Sequence, residues 1–377
     1  MGKNMAEEDA LLENEDELNN LEYSGDDKNP IFELIRVTKK DFSIYKLHRK
    51  YKKQQLILEV DFQRNIVWGN KQKCELIESI LMGLPLPIFY LKQQDNSTYV
   101  VVDGKQRLSA LFDFLDNKFS LKNLKILTFL NEKKFLDLSG ELGVYQSQLE
   151  DYQVYSHVIL PPTPDKILFD IFDRVNRGGT KLNKQEIRNA LYHGKGLDMI
   201  ISVAETEEFQ EATRIEYKKD IRMRGAYLLT RFFAFYLYFN RLLFDKKKIY
   251  EYRGDLDELI EITLVQLNEK DDNELKELRD MVIECLKLSK QVLGKGAFRR
   301  EMDDSKPINM NIFETTLYFM SLIRNKKLSF DNIRKKFQKL ICDEKFLWCI
   351  GNSRDIVVKV EGRFALMNKL FEEVCND

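Results

Sequence analysis

The hydrophobic period of this chain of 377 residues changes once, near residue 196. Before that point short β-branched and aromatic runs alternate with helix-period segments. After it almost no strand signal remains, and amphipathic segments follow one another at roughly 221–244, 255–268, 273–293, 309–323, 329–340 and 356–374. Such a switch predicts an α+β chain, with an α/β domain over residues 30–200 and an all-helical domain over 201–377. Tyr227, Phe232, Phe233, Phe235 and Tyr236 recur at helical spacing and read as core, not as a base-stacking platform. The most apolar stretch, Leu228 to Phe244, is interrupted by Arg231, Asn240 and Arg241. It is also shorter than the roughly 20 apolar residues of a bilayer span, so no membrane association is expected.

Within the first part, Lys71 to Met82 reads as a helix with Leu76, Ile77, Ile80 and Leu81 on one side, stopped by Gly83 and the prolines at 85 and 87. Ile88 to Leu91 and Thr98 to Val102 read as strands joined by the polar loop Gln93 to Ser97. A helix follows Gly104, with Leu108, Leu111, Phe112 and Leu115 as its buried stripe. Val154 to Leu160 is a further strand. Pro161, Pro162 and Pro164 then mark a loop, and Asp165 to Val175 reads as a helix. Asn183 can cap the next helix, with Glu186 at the capping-box position. Ser43 can cap a helix that carries Ile44, Leu47 and Tyr51 on one face. The opposite face of that helix carries Lys46, Arg49, Lys50, Lys52 and Lys53, either a solvated face or a contact for DNA phosphates.

Charge and cysteine usage narrow the setting. The formal net charge is −1, so no global field draws the protein to DNA, and any nucleic-acid contact must be local. Residues 1–29 form an acidic stretch whose apolar residues include Leu11, Leu12, Leu18 and Leu21. It is expected to be a disordered, solvated tail, with a short helix docking on a partner or on its own basic surface as the alternative. Five cysteines without a C-x-x-C pair suit free thiols in the cytoplasm. Lys295, Arg299 and Arg300, beside Gly294 and Gly296, read as a solvated loop or a DNA-backbone contact.

The segment Asp103-Gly104-Lys105-Gln106-Arg107 is the main candidate site. A strand that ends there and opens a helix gathers backbone N–H groups and the positive end of the helix dipole at one point, which attracts an anion. Gly104 permits a tight turn and close ligand approach. Arg107 can hold a phosphate through two hydrogen bonds. Asp103 can cap the helix, orient Arg107 or help bind a metal ion, and Gln106 can position a water or a phosphate oxygen. Taken alone, an Asp-Gly turn before a helix can equally be a capped helix with a surface ion pair. Gln63 and Arg64, and then Asn176-Arg177-Gly178-Gly179, add Arg and amide side chains beside further turns, and the two glycines can form a phosphate nest or a plain helix cap. Trp68 reads as core. There is no Walker A pattern.

Phe62-Gln63-Arg64 with Trp68, Leu84-Pro-Leu-Pro87, Asp103-Gly-Lys-Gln-Arg-Leu108 and Arg174-Val-Asn-Arg-Gly-Gly-Thr180 occur in one order. This set resembles the family called domain of unknown function 262, the N-terminal domain of GmrSD-type modification-dependent restriction enzymes, strongly over about residues 35–200. The family's hallmark has Gln where Lys105 stands here, at an outward-facing position. The resemblance implies a ParB/sulfiredoxin-like fold in which Gly104 and Arg107 contact nucleotide phosphates, NTP hydrolysis with Mg²⁺, and a part in defence against phage or other foreign DNA. It makes Asp103, Gln106, Arg107 and Arg64 the catalytic candidates. Asp103 is also the metal candidate, and Gln63, Gly104, Lys105, Asn176, Arg177, Gly178 and Gly179 are the nucleotide-binding candidates. Many relatives carry an HNH-type nuclease rich in histidine, whereas no histidine follows His193 here. Cleavage is therefore expected from a partner nuclease chain. The alternatives are a nucleotide or DNA sensor without turnover and a DNA nickase.

Overall fold

The computed structural model describes residues 12–13, 36–58, 68–94, 97–161, 163, 184–220, 222–245, 247–351 and 355–376. Internal contacts divide the chain into two units: Leu21–Leu191, and Tyr192–Asp377 together with Met1–Asn20. The fold class is α+β, with a sheet and helices in the first part and mostly helices in the second.

The first unit is built on a five-stranded mixed sheet of order β1-β5-β3-β4-β2: β1 (Val37–Ser43), β2 (Leu56–Ile57), β3 (Phe89–Gln93), β4 (Tyr99–Asp103) and β5 (Gln153–Ile159). β3 and β4 form the expected antiparallel hairpin, while β3 runs parallel to β5 and β2 parallel to β4. The helices, numbered among the described residues, are α1 (Ile44–Lys52), α2 (Asn70–Leu81), α3 (Lys105–Leu115), α4 (Gly143–Asp151) and α5 (Lys184–Leu191). Ser43 Oγ accepts from the Lys46 amide and starts α1, and Arg49, Lys50 and Lys52 sit where its dipole is negative. α2 stops because Gly83 adopts φ +72, which lets its amide reach Ile80 O at 2.8 Å and the Leu84 amide reach Ser79 O at 2.9 Å. Phe89, Leu91, Val101, Leu108, Leu111 and Phe112 help fill the core between sheet and helices, and Trp68 packs against its edge.

One carboxylate secures the long connection after α3. Glu78, buried on α2, accepts the amides of Ile126 at 2.8 Å, Leu127 at 2.9 Å and Lys125 at 3.3 Å. Burial alone would raise its pKa; the three amides outweigh burial and hold it below the ordinary glutamate value.

The helical unit contains α6 (Lys195–Ala204), α7 (Glu207–Thr213), α8 (Arg224–Phe239), α9 (Leu256–Glu269), α10 (Asp272–Leu293), α11 (Met310–Ile323), α12 (Phe330–Ile341), α13 (Glu344–Ile350) and α14 (Val357–Cys375). The aromatic run of α8 is core, as expected: Tyr227, Phe232, Phe233 and Phe235 are buried. Arg231 does not weaken this core, because a closed set of charges surrounds it. Its Nε donates to Glu314 at 2.9 Å and its Nη2 lies 3.0 Å from Asp355, while Arg363 Nη2 donates to Glu314 at 2.5 Å and to Asp355 at 2.7 Å. All four residues are buried.

Three expectations need correction. The second part is not purely helical: α8 ends at Phe239, Arg241 takes φ +56, and β6 (Phe244–Asp245) pairs with β7 (Lys248–Ile249) in a small hairpin. Its turn contains two lysines in place of Asn-Gly, which hides the signal. Arg299 is not in a solvated loop. It is buried and donates to Lys306 O at 2.8 Å, Lys295 O at 3.0 Å and Thr213 O at 3.0 Å. The acidic tail is not wholly solvated either, since Leu12 is 4% exposed and bridges to Ile308. Among the described residues no helix is long and apolar enough to cross a membrane.

Candidate nucleotide and nucleic-acid site

The candidate turn lies where β4 hands over to α3. Gly104 occupies the N-cap with φ +97 and ψ +9, a conformation that costs side-chain-bearing residues energy. A Cβ there would stand 2.2 Å from Cδ1 of Phe89, so the glycine is also required by the close approach of that ring. The N-cap residue is Gly104, which has no side chain to cap this end, and not Asp103. Asp103 instead meets Arg107 one turn on, Oδ2 to Nη2, at 2.9 Å.

Arg107 is turned towards the start of β3. Nη1 donates to Pro87 O, Nη2 donates to Ile88 O at 3.4 Å, and the guanidinium carbon lies 4.1 Å from the centre of the Phe89 ring. Its side chain is only 12% exposed. Burial lowers its pKa from the ordinary arginine value, and the Asp103 carboxylate opposes that shift. Tyr152 holds the other end of the Leu84-Pro-Leu-Pro87 segment, donating to Leu84 O at 2.8 Å and accepting from the Leu86 amide at 3.1 Å. Arg107 and Tyr152 thus brace one loop. A phosphate reaching the guanidinium would have to displace contacts it already makes.

Gln106 is different. Its Oε1 is buried and, among the described residues, has no hydrogen-bond partner. Lys105 is half-buried at the start of α3. Gln63, Arg64, Asn176, Arg177, Gly178 and Gly179 lie outside the described residues, as do Arg174, the Asp165 to Val175 segment, Asn183 and the Glu186 side chain.

Helix α5, which packs against β4, presents polar residues that sequence reasoning passed over. Gln185, Arg188 and Asn189 are all buried, and Gln185 Nε2 donates to Asn189 Oδ1 at 2.8 Å. Gln185 Oε1, like that of Gln106, is a buried acceptor with no partner among the described residues. The available signal was their spacing of three and four residues, which puts them on one helix face.

The cationic face of α1 is largely open: Lys46, Arg49, Lys52 and Lys53 are exposed and Lys50 half-buried. Part of its charge is already matched. Asp116 takes Lys52 at 2.8 Å and His48 at 2.9 Å. Burial would raise the Asp116 carboxyl, but these two partners hold it below the ordinary range. Lys50 lies 5.0 Å over the Tyr99 ring and Lys46 5.6 Å over that of Phe42.

Among the described residues no group of three or more His, Cys, Asp or Glu side chains is placed to hold a metal ion. Asp103 Oδ2 is paired with Arg107 at 2.9 Å.

The order of sheet, turn and flanking helices meets a known pattern. Residues 44–193 match the model of the GmrSD restriction endonuclease, N-terminal domain. The match covers less than half of the chain and falls on α1 to α5 with the sheet strands β2 to β5, which supports a GmrSD-type N-terminal domain at this position. Neither the curated proteins nor the solved structures contain a match.

Proposed function

We propose that the chain is a nucleotide-binding component of a restriction-type DNA defence system, with its GmrSD-type domain binding the ligand at the β4–α3 turn. The observation that carries this reading is the buried, unpartnered Gln106 Oε1 beside the Asp103–Arg107 pair. A buried acceptor without a donor costs stability, roughly 1–3 kcal/mol, unless a ligand supplies one. Phosphate oxygens only accept. An exocyclic amine of a base or a ribose hydroxyl can donate, so a whole nucleotide suits the turn better than an isolated phosphate. The exposed cations of α1 are the proposed contact for DNA backbone.

Turnover of the nucleotide is a second reading. In-line hydrolysis needs positive groups around the γ-phosphate, and Arg107 supplies one only by leaving Pro87, Ile88 and Asp103. Binding without hydrolysis, with DNA cleavage by a separate nuclease chain, is therefore placed first. Thermal denaturation of the full chain with each NTP tests binding. A ligand at 100 times Kd should add about 2.7 kcal/mol of stability. Gln106→Leu should keep the fold and lose that gain. Failure of every nucleotide to raise Tm at millimolar concentration would end this reading. Release of inorganic phosphate in the same samples with Mg²⁺ separates turnover from binding.

A further inference from the structure

The acidic arm and the helical unit meet at Leu12 and Glu13, within a surface made by Arg299, Arg300, Ile308 and Asn309. Leu12 forms a parallel bridge to Ile308, and Ile308 also forms an antiparallel bridge to Arg299. Leu12 and Glu13 are thus added beside an existing pairing. The Glu13 amide donates to Ile308 O at 2.8 Å. Its carboxylate accepts from Arg300 Nε at 3.0 and 2.8 Å and from Asn309 Nδ2 at 2.6 Å.

The receiving surface is organised by contacts that do not involve the arm. Asn309 is almost fully buried, and its Oδ1 accepts the Ile312 amide at 3.0 Å as the N-cap of α11, which leaves its Nδ2 facing Glu13. Arg299 ties three carbonyls of the surrounding chain together. Gly296 packs so closely that a Cβ would stand 1.9 Å from Met302 O.

We propose that this surface is a docking site for an acidic peptide containing Leu-Glu, and that the chain's own Leu12-Glu13 segment is the ligand that occupies it. The leucine supplies apolar burial and the glutamate supplies register through three donated hydrogen bonds to its carboxylate. The surplus of acidic residues in 1–29 adds charge complementarity to Arg300. Because the occupant belongs to the same chain, it competes at high effective concentration with any segment offered from outside. The proposal is independent of the nucleotide reading.

The test uses full-length protein and a fluorescent synthetic peptide of residues 5–21. The variant Leu12→Ala/Glu13→Ala empties the site, and it should bind the peptide at least tenfold more tightly than the unaltered chain does. A peptide with Glu13→Ala, or addition of Arg300→Ala to the emptied protein, should weaken binding by tenfold or more. Equal binding to both proteins, no binding to the emptied one, or equal displacement by polyglutamate without leucine overturns the proposal. A second measurement covers the case in which the variant fails to fold. In the unaltered chain the Glu13 amide should be protected from hydrogen exchange, and Arg300→Ala should abolish that protection while the amides of α11 stay protected. Free exchange at Glu13 in the unaltered chain also overturns it.

Discussion

Replacing Arg107 with alanine should unfold the β4–α3 turn more readily, before it says anything about a ligand. The guanidinium donates to Pro87 O, Ile88 O and Asp103 and stacks on Phe89. Hydrogen bonds to a charged group contribute about 1.5–3 kcal/mol when well buried. Pro87 and Ile88 are exposed, so water can replace much of what is lost, and about 0.5–1 kcal/mol each is the appropriate share. The pair with Asp103, whose side chain is 31% exposed, adds no more than about 1 kcal/mol, and the ring contact adds a similar amount. The sum is roughly 1–4 kcal/mol, or a fall in Tm of about 2–16 °C for a unit of this size. Arg107→Lys keeps a charge but loses the fork and the stacking, and should recover less than half. Scanning calorimetry on full-length protein reads both. An Arg107→Ala protein that melts within a degree of the unaltered one would refute the brace. If it also lost nucleotide binding, the guanidinium would belong to the ligand.

Other perturbations probe separate parts of the reasoning. Gly104→Ala combines positive φ with the Phe89 clash and should cost roughly 2–4 kcal/mol, partly relieved by Phe89→Leu; a denaturant double-mutant cycle measures the coupling. Glu78→Gln should cost about 1–2 kcal/mol at neutral pH. Because the folded pKa of Glu78 is lowered, its contribution is full above the unfolded value and is lost as pH falls through the folded one. The difference between the two proteins should therefore shrink in acid below the ordinary value of 4.5, and a gap that persisted unchanged would refute the assignment. Arg363→Met leaves Glu314 and Asp355 with one arginine and should cost about 3–5 kcal/mol in urea titrations, whereas Lys369→Met on the surface should cost under about 0.5 kcal/mol.

Much of the helical part was legible because its apolar residues keep one period for many turns. The bounds of α9, α10, α11, α12 and α14 fall within one or two residues of those expected. The β3–β4 hairpin and the helix after Gly104 were equally readable. β1 was missed because Val37-Thr-Lys-Lys-Asp-Phe-Ser43 is an edge strand rich in charge, a composition that protects an edge and obscures it in the sequence. The connection after α3 was unreadable because a carboxylate some 50 residues earlier holds it. In the candidate site, the spacing of Asp103 and Arg107 announced their pairing. The acceptors at Pro87 and Ile88 are backbone atoms about 20 residues away, and no side-chain pattern marks them. Gln185, Arg188 and Asn189 are not legible because a polar helix face has the same sequence pattern whether it is buried or solvated.

The clasp at Glu13 also imposes an order on biosynthesis. Its partner Arg300 comes 287 residues later. At about 5–20 residues per second, a ribosome needs roughly 15–60 s to make that span. During this interval Glu13 waits without Arg300, while the sheet and helices that lie between them in sequence have time to form. Arg300 and Asn309 then close on a carboxylate made long before them.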